Sequence, residues 1–430
     1  MEISLDHNPA RADWGDDALL SASTGGFQIH LVAEQDRLDR IQRAARKISL
    51  LGIPEARLSG PHWDSEAQWA FALGYLKAKN SGLIHWADDD SGDVAQLEQR
   101  LRIHNWLRAM THATPQEQSP LRLAEDSASF LQEIAPGDIR HEIISGDALL
   151  EQGWVGTHAV GRGSDREPAI LRLEYCPPEC RDDPVAAVLV GKGLIYDSGG
   201  YSLKKTEAMF LMKTDMGGAA TVVAALATAI QAGLRKRIVL ILCCAENLVS
   251  GRAYKNGDIL TYRNGVSVEI ANTDAEGRVV LADGLIMAGE TGAPLVIDAA
   301  TLTGAAMIAL GTDYNAIFAL DHDLQQRALG YARAENERHW PLPLEPFHRQ
   351  KCPSLFADTC NSRPMPGGGP GGASNAAGFL SRFAPRDGAG WLHFDLSASF
   401  HDRDTALHAG GATGLGVRTI ARTLLEELQA

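Results

Sequence analysis

The sequence holds 430 residues, 45% hydrophobic and 22% charged, with 40 Lys+Arg against 54 Asp+Glu for a formal net charge of -14. At roughly 100 to 200 residues per domain this predicts two or three domains with filled cores, and the composition excludes a wholly disordered chain. The negative balance repels polyanions and so lends no support to a general role on nucleic acid or an anionic membrane, leaving room only for a local basic patch.

The opening Met1-Glu2-Ile3-Ser4-Leu5-Asp6 lacks the basic and apolar regions of a secretory signal, so a cytoplasmic protein is expected. The six cysteines are too few and too uneven for a disulfide framework and suit a reducing compartment. Cys176 and Cys180 have the spacing of half a zinc site, but no matching Cys/His pair follows nearby.

In chain order, Phe27 to Val32 is a short strand, and Leu38, Ile41, Ala45 and Ile48 mark one face of a helix. Arg37, Arg40, Arg43 and Arg46 are expected on its solvated faces. Trp69 to Ala78 predicts a second helix, Gly82 to Trp86 a strand, and Val94 to Met110 a third helix. The polar, Pro-punctuated stretch His112 to Pro120 reads as a linker, giving a small N-terminal α/β domain over residues 1–112 and a larger domain over 113–430.

Beyond that boundary, Val185 to Val190, Arg237 to Cys244 and Leu295 to Ala299 are apolar runs typical of strands covered on both faces. Gly217 to Leu234 and Gly277 to Glu290 supply crossover helices, so the larger domain is expected to be a helix-covered mixed sheet. The apolar stretch Thr221 to Leu234 reads as a buried helix, too short and too interrupted to span a bilayer. The Gly/Pro-rich segment Pro364 to Gly372 reads as a mobile loop.

Chemistry concentrates between Lys192 and Arg278, in three polar clusters around Lys192 to Lys204, Lys213 to Gly218 and Asn272 to Arg278. Each acidic residue also has an ordinary local role. Asp215 is placed to cap the helix near Gly217, Thr273 with Glu276 fits a capping box, and Asp197-Ser198-Gly199-Gly200 fits a turn. Together they say more. Four carboxylates about 5 Å apart repel by roughly 3 kcal/mol per pair at an effective dielectric of 20, so convergence of Asp197, Asp215, Asp274 and Glu276 calls for cations.

All 14 histidines lie outside Lys192 to Arg278, and oxygen ligands favour manganese, magnesium or zinc over copper or an iron-sulfur cluster. A locally extended Asp274 to Arg278 would point Asp274, Glu276 and Arg278 to one side. The Gly-Lys-Gly around Lys192 fails the phosphate-loop pattern, with Ala186 for the first Gly and Gly193 for the Ser/Thr.

At these residues the sequence resembles the leucyl aminopeptidase family of two-metal exopeptidases, whose signature Asn272 to Arg278 matches without a substitution. The resemblance runs from about Leu121 to the C-terminus with strong motifs, and extends to the N-terminal domain only by position and size. It implies that Lys192, Asp197, Asp215, Asp274 and Glu276 ligate two divalent metals, with Lys192 donating a neutral amine. Lys204 and Arg278 match the catalytic pair, and Met212, Thr301, Leu302 and Gly304 fall where the substrate pocket lies.

The implied enzyme is a metal-dependent aminopeptidase that releases N-terminal amino acids from peptides with a free N-terminus, through a water activated by both metals. Manganese is the expected ion, with zinc or magnesium as alternatives. Bicarbonate is expected at Arg278, and the implied assembly is a homohexamer that binds neither nucleic acid nor membrane. Two rival classes are a two-metal phosphoesterase, which would need phosphate-gripping groups, and a non-catalytic scaffold or regulatory protein, for which a lost ligand would speak.

Overall fold

The computed structural model describes residues 1–15, 17–31, 37–79, 82–87, 94–365 and 368–429. Val32 of the first expected strand and residues 366–367 of the Gly/Pro-rich segment therefore lie outside the described residues. The chain divides into two compact units, Met1–Asn105 with Phe400–Thr413, and Trp106–Ser399 with Gly414–Ala430. The division falls inside the helix Val94–His112, where composition had pointed to the polar stretch that follows it. A composition shift along the chain also cannot reveal that residues 400–413 return to the first unit.

The first unit carries a five-stranded sheet in the spatial order Leu20–Ser23, Gly26–His30, Glu2–Asp6, Glu55–Leu58, Leu83–His85. Its neighbours run parallel except for the hairpin pairing Leu20–Ser23 with Gly26–His30. The helices Arg37–Leu50 and Ser65–Tyr75 enclose a core built on Ile3, Ile29, Ile41, Trp63, Phe71 and Tyr75. Asp64 caps the second helix, its side chain accepting from Ala67 N. Arg46 departs from the solvated face expected for it. It is buried, donates to the carbonyls of Gly74 and Leu76, and pairs with Asp404 at 3.1 Å. The carbonyls at the end of one helix and an acid from residues 400–413 thus draw in a side chain that periodicity alone assigns to water.

The second unit is built on an eight-stranded mixed sheet. From edge to edge its strands are His339–Pro341, Asn315–Phe318, Trp391–Asp395, Leu295–Ala300, Ala187–Asp197, Ile238–Asn247, Ala169–Tyr175 and Ile139–Ser145. The four strands Trp391–Asp395, Leu295–Ala300, Ala187–Asp197 and Ile238–Asn247 run parallel, and every residue of Ile238–Asn247 is buried. Continuous Val/Ile/Leu runs fit this position because helices cover both faces.

The two faces can be read from strand alternation. A Cβ on Gly191 would meet Ala219 and Val222 of the helix Gly217–Gln231, whereas a Cβ on Gly284 of the helix Glu276–Glu290 would meet Val190 and Cys243. Lys192 shares the alternation of Val190 and so belongs to the face carrying the helix Glu276–Glu290. The segment Thr206–Gln231 has the length and hydropathy of a bilayer span, yet 72% of its most apolar window is buried inside the protein, as expected of a core helix.

Candidate active site

The parallel strands deliver their polar residues at their carboxyl ends, where open α/β sheets form ligand crevices. Lys192 and Asp197 come from Ala187–Asp197, Asn247 ends Ile238–Asn247, and Thr301 follows Leu295–Ala300. Simple alternation would put Lys192 and Asp197 on opposite faces. A register irregularity between Leu194 and Tyr196 inserts one extra residue, so that Lys192 pairs with Cys243 and Asp197 with Asn247. Cys243 and Asn247 are four apart and share a face, so the bulge returns Asp197 to the face of Lys192.

The carboxylates converge as their residue types require. One oxygen from each of Asp197, Asp215 and Glu276 lies within 4.8 Å of the others, and all three residues are buried. Lys192 Nζ donates to Asp215 Oδ1 at 2.8 Å and to the Thr301 carbonyl at 3.0 Å, and lies 3.0 Å from Glu276 Oε1. Asp274 is the more exposed member, joined to the group through Lys204, which pairs with it and with Asp197 at 2.8 Å.

Neighbours hold these side chains in place. Asn247 Nδ2 donates to Asp197 Oδ1 at 2.7 Å and to the Thr273 carbonyl at 2.9 Å, and the Tyr254 hydroxyl donates to the same carbonyl at 2.7 Å. The turn after Asp197 closes through Gly199 N, which donates to Asp197 Oδ1 at 2.8 Å. Gly199 has φ 84°, and a Cβ there would crowd the Ser202 carbonyl at 2.6 Å. Gly277 lets its helix approach the cluster, since a Cβ there would stand 2.7 Å from Lys192 Nζ.

Two local expectations are corrected. Asp274 lies in the 3-10 turn Thr273–Ala275, and Glu276 opens the helix Glu276–Glu290, so Asp274 to Arg278 is not extended. Helical residues two apart point about 200° away from each other. Glu276 accordingly faces Lys192, while Arg278 turns to the Asn361 carbonyl at 3.0 Å. No capping box joins Thr273 to Glu276. The Thr273 hydroxyl instead donates to the Gly199 carbonyl and accepts from Ser202 N, while Asn272 caps the turn by accepting from Asp274 N. Asp215 likewise precedes its helix without capping it, because its carboxylate is engaged by Lys192 and by the Thr301 hydroxyl at 2.8 Å.

Electrostatics show what this arrangement costs. Burial raises Asp215 to about 8 and Asp274 to about 7, with Glu276 adding repulsion against the lowering by Lys192 and Lys204 respectively. Burial also lifts Asp197. Burial acts to lower Lys192 and Lys204, but the facing carboxylates outweigh it and hold both ammonium groups well above the usual lysine range. Burial acts to raise Glu276, but the two lysines outweigh it and bring the carboxyl down. Four carboxylates thus face two lysines, and the buried Glu276 Oε2 has no hydrogen-bond donor. Closely set carboxylate oxygens, one of them orphaned, have the chemistry to hold hard divalent cations.

Of the four expected pocket residues, Thr301 contacts the cluster through both its carbonyl and its hydroxyl. Leu302 is adjacent, its amide donating to Asp395 Oδ1 at 3.1 Å and its side chain beside Gly277. Met212 is joined to the site through its carbonyl, which accepts from Asp215 N, and Gly304 is exposed at the start of the helix Gly304–Leu310. Sequence reasoning missed Asn247, Tyr254, Asp395 and Asn361. Each bonds to main-chain atoms, Asn247 to the Asp197 carboxylate as well, and no side-chain motif records main-chain bonds.

Within the Gly/Pro-rich segment, residues 368–372 are better tied than their composition predicts. Arg363 donates to the carbonyls of Gly368 and Pro370, and Gly371 caps the helix Gly372–Leu380, whose residues are all buried.

This fold and site define a metal-dependent peptidase, and the chain belongs to the cytosol aminopeptidase family, whose catalytic-domain model matches residues 105–421. A second family model, described as a peptidase, matches residues 2–90. Peptidase B of Yersinia pestis is 50% identical over 428 residues, covering 99% of this chain and 98% of the relative. Among the solved structures that are similar over nearly the full chain are two more than 25% identical. The bottromycin maturation enzyme BotP in complex with Mn has a TM-score of 0.85 at 29% identity, covering 99% of both chains. The cytosol aminopeptidase of Coxiella burnetii has a TM-score of 0.84 at 27% identity, covering 99% of this chain and 97% of the other. The protein is a metallo-aminopeptidase; neither the phosphoesterase nor the scaffold alternative finds support.

Proposed function

We propose that the protein removes N-terminal residues from peptides at a centre of two divalent ions, manganese foremost, held by Lys192, Asp197, Asp215, Asp274 and Glu276. The observation carrying this reading is the buried convergence of Asp197, Asp215 and Glu276 within 4.8 Å, with Glu276 Oε2 left without a donor. Manganese is favoured because the donors are mostly carboxylate oxygens and because the similar BotP structure is described with Mn. The chemistry such ions would supply when bound is Lewis acidity and a water whose pKa lies near about 7.

The chain's own groups do the rest. Lys192 serves as a ligand once its proton has left Nζ, and the Thr301 carbonyl, 3.0 Å away, fixes that nitrogen in place. Lys204 Nζ stabilises negative charge that develops on the carbonyl oxygen under attack. Arg278, with its buried Nε unpartnered, would hold bicarbonate, whose chemistry would be that of a proton carrier between the water and the leaving amine. Met212, Thr301, Leu302 and Gly304 border the space for the substrate's first residue.

The protein acts in the cytoplasm, where its six free cysteines stay reduced. It assembles as a homohexamer, for which the outward Phe210, Ile308, Leu355 and Phe356 supply apolar contact surface. Metal analysis after reconstitution with manganese, zinc or magnesium, combined with a dipeptide panel and sedimentation, tests the assignment. Two ions per chain, best turnover with manganese and a six-chain mass are expected. Full turnover with fewer than one ion per chain would overturn it.

A further inference from the structure

We propose that Asn361 is the positioning residue that shapes the ligand-bearing segment Asn272 to Arg278, an inference that rests on the metal assignment above. Asn361 is fully buried and follows the short strand Thr359–Cys360, which pairs in parallel with Ser267–Glu269. Its own amide continues that ladder by donating to the Glu269 carbonyl at 3.0 Å. The backbone is thereby anchored, and the side chain is delivered across the segment that leaves Ser267–Glu269.

The side chain uses its full hydrogen-bonding capacity there. Its Oδ1 accepts from Ala271 N at 2.9 Å and Asn272 N at 3.2 Å, and its Nδ2 donates to the Asn272 carbonyl at 2.7 Å and the Ala275 carbonyl at 3.4 Å. A carboxamide has two lone-pair sites and two protons, so one buried side chain holds four main-chain groups at once, among them the amides of Ala271 and Asn272 that enter the turn. Those four groups bracket Asp274 and lead directly into Glu276. The Asn361 carbonyl completes the clamp by accepting from Arg278 Nη1 at 3.0 Å. One residue thus sets the aim of two acidic side chains of the centre and the position of Arg278.

Only a carboxamide of this length does this. Aspartate has the same shape but no donors, so an oxygen would face the carbonyls of Asn272 and Ala275. Alanine removes all four bonds. Neither change touches the main-chain carbonyl that holds Arg278. Groups that orient metal ligands typically contribute about 10- to 100-fold to metal affinity.

The test uses the full-length protein, stripped with chelator and titrated calorimetrically with manganese chloride alone, beside metal-free melting curves. Asn361→Ala and Asn361→Asp are expected to bind manganese about 10- to 100-fold more weakly than the wild type. Unchanged affinity, even with a lowered melting temperature, would show that Asn361 serves the fold alone and would overturn the inference. Wild-type protein that binds no manganese would instead sink the metal assignment on which the inference rests. Should neither variant stay soluble, the side-chain amide resonance of Asn361 in labelled wild-type protein decides the matter. It is expected to shift as zinc is added, and an unmoved resonance would overturn the proposal.

Discussion

Lys192 Nζ donates to Asp215 Oδ1 across 2.8 Å, joining the middle of one central strand to the turn that enters the helix Gly217–Gln231. Both groups are buried, and the lysine keeps its charge because Asp215 and Glu276 face it. Removing one partner of a buried pair leaves the other charge uncompensated, which typically costs 3 to 5 kcal/mol. Asp215→Ala is therefore expected to cost the chelated protein less than this, because Glu276 remains beside the lysine and removing Asp215 relieves its burial and its repulsion with Glu276 and Asp197. Urea unfolding with chelator present measures this.

Asp274 and Lys204 are separated by what their loss removes. Under the proposed assignment Asp274→Ala deletes a ligand carboxylate, so metal content and turnover are expected to fall together. Under the same assignment Lys204→Ala deletes no ligand but an oxyanion-stabilising group, whose loss typically costs about 100- to 1000-fold in turnover. Because Lys204 also pairs with Asp197 and Asp274, its variant melts normally only when metal-loaded, and lower than wild type after chelation. Metal analysis and kinetics on both variants check the distinction. A fully active Lys204→Ala enzyme would return this lysine to a structural role.

Asp283 gives the stability a pH dependence away from the metal centre. Burial raises its carboxyl to about 7, against the lowering by hydrogen bonds from Thr157 and Gly156. Cys243 and Tyr262 also face it, and burial pushes both well above their ordinary values, so neither titrates in the same window. The folded state holds the proton more tightly than the unfolded one, whose value is near 3.8. Stability from this group is therefore fully present below about 4 and is lost as pH rises through about 7. Asp283→Asn is expected to gain stability relative to wild type as pH rises from about 4 to about 7, with no further gain above it. Unfolding free energies of the two proteins across this range check the sign.

The sequence disclosed the residue types of the site because a run such as Asn272 to Arg278 carries its chemistry in side chains. Their aim was less legible. Asp197 reaches the face of Lys192 through a bulge that apolar patterning does not mark, and Glu276 and Arg278 diverge because a helix begins between Asp274 and Glu276. The buried helix Gly217–Gln231 and the central strands were plain, since continuous apolar runs admit few other placements. Arg46 and Asn361 were hidden for a common reason, as both are fixed by main-chain atoms distant in sequence.

The central claim is that the buried carboxylate cluster is the metal centre of an enzyme that requires a free N-terminal amine. Its most direct test strips the protein with chelator, restores manganese, and compares cleavage of one dipeptide with that of its N-acetylated form. The account predicts no turnover without metal, recovery with manganese, and cleavage of the free dipeptide only. Equal cleavage of the acetylated form, or full activity in the chelated protein, would contradict it.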